Sequence, residues 1–392
     1  MRAGRGGGGY ESECCVTENP GILLTIFAFV LVIGPLVFVH EMGHYLAGRL
    51  FGVKAEVFSI GFGHSVARWT DKRGTQWKLG WMPLGGYVRF AGDMGATSQP
   101  SAEWLALPAE ERAKTFQSKP LWQRAIIVAA GAIVNFLFAI LILSCFAFVQ
   151  GQSRTPPTVA EVQQGTAADR AGLLVGDRIV SIAGTSVDTF DDVFRIVRFR
   201  PIAAMPIEVE RAGTRVSLQA MPTVLIERDR FGNEYRLGQL GIRPPPAVRE
   251  PVSLIEAPVV GVKRTWGIVT QMVDMLGQVI SGRRSVKELG GPLKIAQVSG
   301  EAASLGWESV IFLIALVSIN LGFINLLPVP MLDGGHLFFY AIEAIRRKPV
   351  PVEAQEWAYR GGFALLASLM LLVTFNDLTS FGLWEKLGGL IG

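Results

Sequence analysis

Long apolar runs separated by polar stretches are the main feature of this chain, and they predict four membrane-spanning helices. The runs cover residues 21–39, continuing as a helix to about Leu50, and residues 125–149, 309–332 and 358–375. About twenty apolar residues in a helix cross the hydrocarbon core of a bilayer. Residues 251–280 are also apolar, but several charged side chains interrupt them, so they predict an amphipathic helix on the outer membrane surface.

Between the first two runs, short alternating stretches predict a β-sheet. They cover residues 57–62, 66–70, 76–81 and 87–90, with glycine-containing turns such as 71–74 between them. Alternation bounded by turn residues is typical of β-hairpins. The stretch also contains Trp77, Trp81 and Tyr87. Two interpretations therefore stay open, an ordinary cytoplasmic hairpin and a hairpin at the lipid interface.

Residues 154–222 have the pattern of a soluble domain. Gly176-Asp177 opens a strand, Gly184 marks a hairpin, and Asp188 or Thr189 can cap a helix that runs through Val197. Two further strands are predicted at residues 207–211 and 215–221. This order resembles a PDZ domain, and the resemblance implies binding of a peptide at a sheet edge. Residues 223–246 predict further short strands with a turn at 229–233, and the glycine-rich residues 1–20 predict a disordered tail.

Composition and charge agree with a membrane protein that has a modest soluble part. Half of the 392 residues are apolar and the formal net charge is only +4, which gives no argument for nucleic-acid binding. Three cysteines without a CxxC pair argue against a disulfide framework or a cysteine zinc site. Lysines and arginines concentrate in residues 51–123 and again at 346–348, so the positive-inside rule predicts that these segments are cytoplasmic and that the soluble domain is outside.

The first apolar run ends in the sequence His40-Glu41-Met42-Gly43-His44. On a helix, His40 and His44 lie on one face, where their imidazole nitrogens can bind one Zn²⁺ while Glu41 holds a water molecule. If Arg49 marks the water interface, His40 lies about 13 Å deeper. Titratable side chains at that depth are expensive and are functional by default. The motif therefore predicts a metallopeptidase centre inside the bilayer.

The end of the third run predicts the third metal ligand. Pro328 and Pro330 break the helix at membrane depth, which is tolerated where protein or a cavity satisfies the freed backbone groups. Asp333 would complete a shell of two histidines and one carboxylate, with the fourth position open to water. The alternative for Asp333 is a helix cap. His336 could also be a ligand, but we expect it to support a ligand or to be structural. We expect Asn135 to bond a neighbouring helix or to lie near the metal.

The histidine motif, the PDZ-like signature and the run from Asn325 to Gly334 together resemble the site-2 protease family, in particular its bacterial intramembrane zinc metalloproteases. The resemblance covers residues 21–380. It implies a zinc metalloendopeptidase of the cell inner membrane that cleaves single-span membrane proteins within the bilayer. Such regulated intramembrane proteolysis implies anti-sigma factors as substrates, and also remnant signal peptides. The soluble domain would be periplasmic and the active site near the cytoplasmic side.

The resemblance also implies residue roles. His40, His44 and Asp333 would be the zinc ligands, and Glu41 the catalytic acid and base. Asn325 would bind the substrate strand, residues 51–90 would form a re-entrant sheet that pairs with it, and Gly291-Pro292 would belong to a loop near the site. Two features depart from the family pattern: Gly131-Ala132 stands where a Gly-Pro pair is frequent, and one PDZ-like copy is recognisable where several relatives have two.

The predicted fold is a polytopic α-helical membrane protein with about four transmembrane helices, a re-entrant β-hairpin loop and an inserted α+β PDZ domain. The predicted segments are the tail 1–20, the first two spans with the hairpin 21–150, the PDZ domain 154–222, a β extension with the surface helix 223–300, and the last two spans 301–392. Two other classes stay open. One is a peptide-binding module with an inactive metal site. The other is a metal transporter, although the two halves show no matching interrupted segments.

Overall fold

The structure is a computed structural model that describes residues 21–92, 108–198, 204–228, 234–280 and 291–380. Its internal contacts divide the chain into two compact units. We call Met1–Ser144 with Pro258–Gly392 the membrane unit, and Cys145–Ala257 the inserted unit. The predicted disordered tail and the predicted turn at 229–233 lie outside the described residues.

The described helices and strands are numbered in chain order. The helices are α1 (Ile22–Leu50), α2 (Ala109–Arg112), α3 (Leu121–Gln150), α4 (Ala167–Arg170), α5 (Phe190–Arg198), α6 (Ala257–Ile280), α7 (Pro292–Leu305), α8 (Trp307–Leu326), α9 (Asp333–Arg346) and α10 (Val352–Ser380). The strands are β1 (Ala55–Thr70), β2 (Gln76–Phe90), β3 (Gln152–Arg154), β4 (Glu161–Val162), β5 (Arg178–Ile182), β6 (Thr185–Ser186), β7 (Met205–Arg211), β8 (Thr214–Ala220), β9 (Thr223–Arg228), β10 (Glu234–Gln239), β11 (Ile242–Arg243) and β12 (Val248–Glu250).

Four helices in the described part of the chain are long and apolar enough to cross a membrane, as the sequence pattern predicts. They are α1, α3, α8 and the stretch Val352–Phe375 of α10. In the third run α8 stops at Leu326 and the next residue has an extended backbone, in agreement with the helix break predicted at Pro328 and Pro330. The fourth begins earlier than residue 358, at Val352. The chain is therefore a multi-pass membrane protein.

Small residues let the spans of the membrane unit approach closely. A Cβ on Gly43 of α1 would lie 2.5 Å from the Ala130 carbonyl oxygen of α3, so α1 and α3 touch backbone to backbone there. Nearer the amino end of α1, Val32 and Leu36 are buried in one cluster with Ala302 of α7 and Val310 of α8. The three helices α1, α3 and α8 thus form the framework that carries the histidine motif and leads into the Asp333 segment.

The β1–β2 hairpin folds into a sheet of four short stretches, in agreement with the four predicted alternating segments. Residues 55–60 pair with residues 76–79 on one side and with residues 86–90 on the other. The bends that allow this occur at glycines with positive φ, including Gly61 and Gly85. Residues 86–90, which we call the edge strand, pack on α1, where the Phe90 ring occupies the space beside Gly48.

Helix α6 is helical as predicted, and its apolar face packs on two of the spans. A Cβ on Gly261 would come within 2.7 Å of the Ile140 carbonyl oxygen of α3. Further along α6, Ile268, Val269 and Met272 pack against a buried cluster of α3 and α8 residues, Ala139, Leu143, Ala315 and Ile319. The helix is thus a packed neighbour of the spans, while its place on the outer membrane surface stays a prediction.

The inserted unit contains an antiparallel sheet with the strand order β6-β5-β7-β8. Its core is a cluster of buried apolar side chains from the sheet and from α5, including Ile179, Ile182, Val193, Ile207 and Val209. Three further antiparallel pairs complete it: β3 with β12, β4 with β11, and β9 with β10. The helix and strands predicted for residues 178–221 are present in that order, and the identity of this unit as a PDZ domain stays a prediction.

Candidate metal centre

Polar side chains of the membrane unit line a cavity of about 310 Å³. The walls come from α1, the edge strand, α3 and the segment that joins α8 to α9. The lining includes His40, Glu41, His44, Gly86, Val88, Ile127, Asn325, Asp333 and His336. Hydrolysis inside a membrane requires water at the site, and a polar cavity among apolar spans can hold that water.

Helix α1 supplies two histidines on one face, since residues four apart stack one turn above the other. The His40 and His44 rings are nearly perpendicular, at 89°, with centroids 4.8 Å apart. Their Nε2 atoms are separated by 3.3 Å. Both nitrogens therefore point to one shared position.

The break between α8 and α9 brings a carboxylate to the same position. The chain leaves α8 after Leu326, passes Met331 in a positive-φ conformation (86°), and enters α9 at Asp333. Gly334 and Gly335 allow the turn, because a Cβ on Gly335 would lie 2.5 Å from the Val329 carbonyl oxygen. The Asp333 Oδ2 atom lies 3.4 Å from the Nε2 of His40 and 3.4 Å from that of His44.

These three atoms fit a divalent cation of the zinc type. Ligand atoms about 2.0–2.2 Å from Zn²⁺ in tetrahedral geometry are separated from each other by about 3.3–3.5 Å, which matches the three observed distances. Asp333 Oδ2 is buried and, among the described residues, has no hydrogen-bond partner. A buried carboxylate oxygen without a donor is costly unless a cation neutralises it. Asp333 is the first residue of α9, but no side-chain hydrogen bond caps this helix. The partnerless oxygen therefore favours a metal ligand over a helix cap, and the ligand role is a proposal.

Gly131 of α3 keeps this position open. A Cβ there would overlap the Nε2 of His44 and lie 2.8 Å from the Cε1 of His40. Any larger residue would push against both imidazole rings. Gly131 therefore faces the two histidines.

Glu41 lies in the same cavity, next to the edge strand. This residue is buried, with 8% of its surface exposed. A Cβ on Gly86 would come within 2.9 Å of the Glu41 Cγ, so the strand backbone lies directly over this carboxylate. The arrangement can hold a water molecule between the carboxylate and the shared position of the three candidate ligands.

Of the remaining predicted residues, Asn325 and His336 also line the cavity. The Asn325 Nδ2 atom is 3.5 Å from the His40 Nε2, at the edge of hydrogen-bonding range. The His336 Nδ1 atom is 3.0 Å from the Tyr359 hydroxyl of α10, which agrees with a structural use. Gly291 is not brought to the histidines but to Asp377 of α10, whose carboxylate accepts its backbone N–H. Asn135 is fully buried beside His40.

Sequence reasoning missed two contacts. The Ile127 carbonyl oxygen lies 2.9 Å from the Nδ1 of His44, and Tyr359 holds His336. A backbone acceptor gives no signal in the side-chain pattern. However, Ile127, Gly131 and Asn135 are spaced by four residues, so the spacing alone places them on one face of α3.

Comparison with known proteins gives a consistent result. The sequence pattern of peptidase family M50 matches residues 28–369. A protein of Agrobacterium fabrum that is named a zinc metalloprotease is 46% identical over 360 residues, which is 91% of this chain and 96% of that protein. Another of the same name from Rhizobium meliloti is 43% identical, covering 90% and 96%. The metalloprotease MmpA of Caulobacter vibrioides is 37% identical, covering 94% and 99%.

The match over most of the chain confirms the resemblance that the motifs indicated, and the names of the relatives agree with a zinc-dependent peptidase. The chain therefore belongs to peptidase family M50, the site-2 proteases, and is a membrane-embedded zinc metalloprotease.

Proposed function

We propose that this protease cleaves transmembrane segments of single-span membrane proteins, with His40, His44 and Asp333 as zinc ligands and Glu41 as the catalytic acid and base. The observation that carries the proposal is the convergence of two imidazoles and a partnerless carboxylate oxygen within 3.4 Å, beside a buried glutamate. His40, Glu41 and His44 belong to α1, which is apolar enough to span a bilayer, and Asp333 follows shortly after the end of the span α8.

The chemistry divides between the metal and the protein. When bound, Zn²⁺ acidifies a water molecule and polarises the scissile carbonyl group. Glu41 takes the proton from the attacking water and passes it to the leaving amine. The strand backbone at Gly86 lies against Glu41 and confines its side chain. Asn325, whose amide lies 3.5 Å from the His40 Nε2, can donate to the substrate backbone.

Substrate presentation is the second requirement, because an intact helix satisfies its carbonyl groups internally. The edge strand pairs with residues 55–60 through one of its sides. An extended substrate segment could add to the other side, next to Glu41 and the histidines. We therefore propose that β1 and β2 form a re-entrant hairpin that receives the unwound substrate.

The proposed substrates are anti-sigma factors and, as a second group, remnant signal peptides of the cell inner membrane. The positive-inside rule places the β1–β2 hairpin and the basic residues 346–348 in the cytoplasm, so the inserted unit would be periplasmic and the active site nearer the cytoplasmic side. In that position the inserted unit, as a PDZ domain, would bind a periplasmic peptide and so regulate substrate access.

A cleavage assay with zinc analysis tests the proposal. The purified protein in lipid vesicles, with a tagged single-span reporter, should release a fragment cut within the transmembrane segment. A chelator should stop cleavage and Zn²⁺ should restore it. Glu41→Gln should reduce kcat by at least about 10²-fold while zinc stays bound, since proton transfer contributes about 10²–10⁴-fold.

Glu353→Gln is the matched control, because Glu353 is an exposed glutamate at the start of α10. It should cleave like the native protein. Native cleavage by Glu41→Gln, or fragments cut only in soluble loops, would contradict the proposal.

A further inference from the structure

Asn135 of α3 is fully buried and makes two different contacts with neighbouring helices. Its backbone carbonyl accepts a hydrogen bond from the Ser318 hydroxyl of α8, at 2.8 Å. Its side-chain amide lies next to His40 of α1, with Nδ2 3.1 Å from the ring Nδ1. The first contact joins α3 to α8, and the second reaches a candidate metal ligand, so the two can be tested separately.

His44 shows how a ligand ring is oriented in this site. Its Nδ1 is 2.9 Å from the Ile127 carbonyl oxygen, which can only accept a hydrogen bond. The ring proton therefore lies on Nδ1, and the lone pair of Nε2 is free to point at Asp333 and His40. Outer hydrogen bonds of this kind fix the tautomer and the orientation of a metal-binding histidine.

His40 needs the same arrangement, because its Nε2 faces the same shared position. With Nε2 as the ligand atom, the ring proton is on Nδ1 and requires an acceptor. The amide offers a donor there, while its acceptor atom Oδ1 is buried and, within the described part of the chain, has no partner. Turning the Asn135 amide by 180° exchanges Oδ1 and Nδ2, which are almost equal in size. The Oδ1 atom then accepts the Nδ1–H of His40, so both the amide oxygen and the ring N–H have a partner.

We propose that Asn135 is the positioning residue for His40: in the zinc-loaded protein its Oδ1 accepts the Nδ1–H of His40 and holds the ring as an Nε2 ligand. The inference rests on the proposed metal centre and deepens it. Both outer contacts then come from one face of α3, since Ile127 and Asn135 lie four residues on either side of Gly131. The packing of α3 on α1 would thus set the orientation of both rings.

Zinc affinity, measured by competition with a chromogenic chelator, tests the proposal on the full chain in detergent. Asn135→Ala should weaken zinc binding by about 10–100-fold, the usual effect of removing such an outer hydrogen bond. Asn135→Asp keeps an acceptor at the same place and should bind zinc at least as tightly as the native protein. At saturating zinc, Asn135→Ala should lower kcat and leave KM unchanged.

Two further variants separate the explanations. Ser318→Ala removes the contact to the Asn135 backbone and should bind zinc like the native protein. His40→Ala tests the metal centre itself. If His40→Ala retains native affinity, the proposed centre is wrong. If His40→Ala loses zinc but Asn135→Ala does not, only the positioning role is overturned. The same holds if the zinc affinity of Ser318→Ala and of Asn135→Asp falls as far as that of Asn135→Ala.

Discussion

The absence of a Cβ atom at two glycines allows α1 and α3 to approach closely beside the candidate metal centre. Gly43 and Gly131 both lie at the crossing of α1 and α3, where a Cβ would meet backbone or ring atoms at 3.0 Å or less. The two glycines are therefore required by contact and not by backbone conformation. The histidines can face a position shared with Asp333 only because these side chains are missing.

Gly131→Ala should for this reason weaken zinc binding and cleavage. The added methyl group overlaps His44 and lies 2.8 Å from the His40 ring, so at least one ring has to move. We expect zinc affinity to fall by at least about tenfold, comparable with other disturbances around metal ligands. Chelator competition measures the effect.

Gly34→Ala is the control for this prediction. It adds the same methyl group to α1 at a position with no heavy atom within 4 Å. It should bind zinc as the native protein does. Equal affinity of both variants and the native protein would show that the rings are not confined by Gly131.

Another residue-scale feature is the ion pair of Asp177 with Arg211 in the inserted unit. Two guanidinium nitrogens of Arg211 donate to the carboxylate at 2.8 Å, and the Leu174 N–H donates at 2.9 Å. Burial opposes ionisation of Asp177, but these hydrogen bonds outweigh it and hold its pKa below the usual value. Arg211 also bonds the Gly172 carbonyl oxygen, so the pair joins β7 to the turn before β5.

This depressed pKa gives a stability that depends on pH. The contribution is fully present above the ordinary aspartate pKa of about 3.9 and is lost as the pH falls through the lower value of the folded state. We expect the inserted unit to lose stability as the pH falls below about 4. Asp177→Asn should lower its unfolding free energy at pH 7 by about 1–3 kcal/mol and flatten this pH dependence.

Hydrogen exchange of the β5–β8 peptides in the full chain, corrected for the intrinsic rate at each pH, measures this effect. Asp191→Asn changes an exposed aspartate of α5 and serves as the control. An unchanged pH slope in Asp177→Asn would contradict the prediction. The stability of Asp177→Asn should still fall somewhat with decreasing pH, because the pKa of Asp192 is also lowered in the folded protein.

At the scale of elements, α7 is joined to α10 through its amino terminus. Asp377 is buried, and its carboxylate accepts the backbone N–H groups of Gly291 and Lys294, at 3.1 Å and 3.2 Å for Oδ2. The first N–H groups of a helix have no partner within the helix, so a carboxylate there acts as a cap. Here the cap comes from another helix, 86 residues away in sequence.

Asp377→Ala should therefore loosen the first turn of α7 and its packing on α1. Loss of a cap costs about 0.5–2 kcal/mol, which corresponds to faster local opening by up to about 30-fold. Hydrogen exchange of residues 291–305 measures it. Asp377→Asn keeps an acceptor oxygen, so its exchange rate should lie between those of the native protein and Asp377→Ala. An exchange rate in α7 that is unchanged in both variants would contradict the cap.

The elements show which features a sequence can predict. Apolar length predicted four spans, and the i, i+4 spacing of His40 and His44 predicted a shared face, because both are properties of one continuous helix. The cap from Asp377, the positive φ of Met331 and the contact between Gly86 and Glu41 depend on which segments meet in space. Sequence periodicity carries no such information, so these contacts became visible only in the folded chain.

At the scale of the whole molecule, the inserted unit interrupts the membrane unit once, between Ser144 and Pro258, and the two end strands of the inserted unit pair with each other. Gln152 and Glu250 are paired residues of β3 and β12 at the two ends of the insertion. The residues that line the metal centre all belong to the membrane unit. Compact units with adjacent ends are tolerated as insertions and can often be removed without unfolding the host.

Removal of residues 153–249, with Gln152 joined to Glu250 through a short glycine-serine linker, should therefore leave a folded zinc-binding membrane unit. We expect native zinc affinity and retained cleavage of a short single-span reporter that lacks an outer domain, because the cavity and its ligands are untouched. If the inserted unit regulates access, the deletion should also cleave reporters with long outer domains that the native protein rejects. The same deletion with Glu41→Gln is the inactive control. Loss of zinc from the deletion protein would mean that the inserted unit is needed to build the metal centre, and would contradict the division of the chain into a catalytic and a regulatory unit.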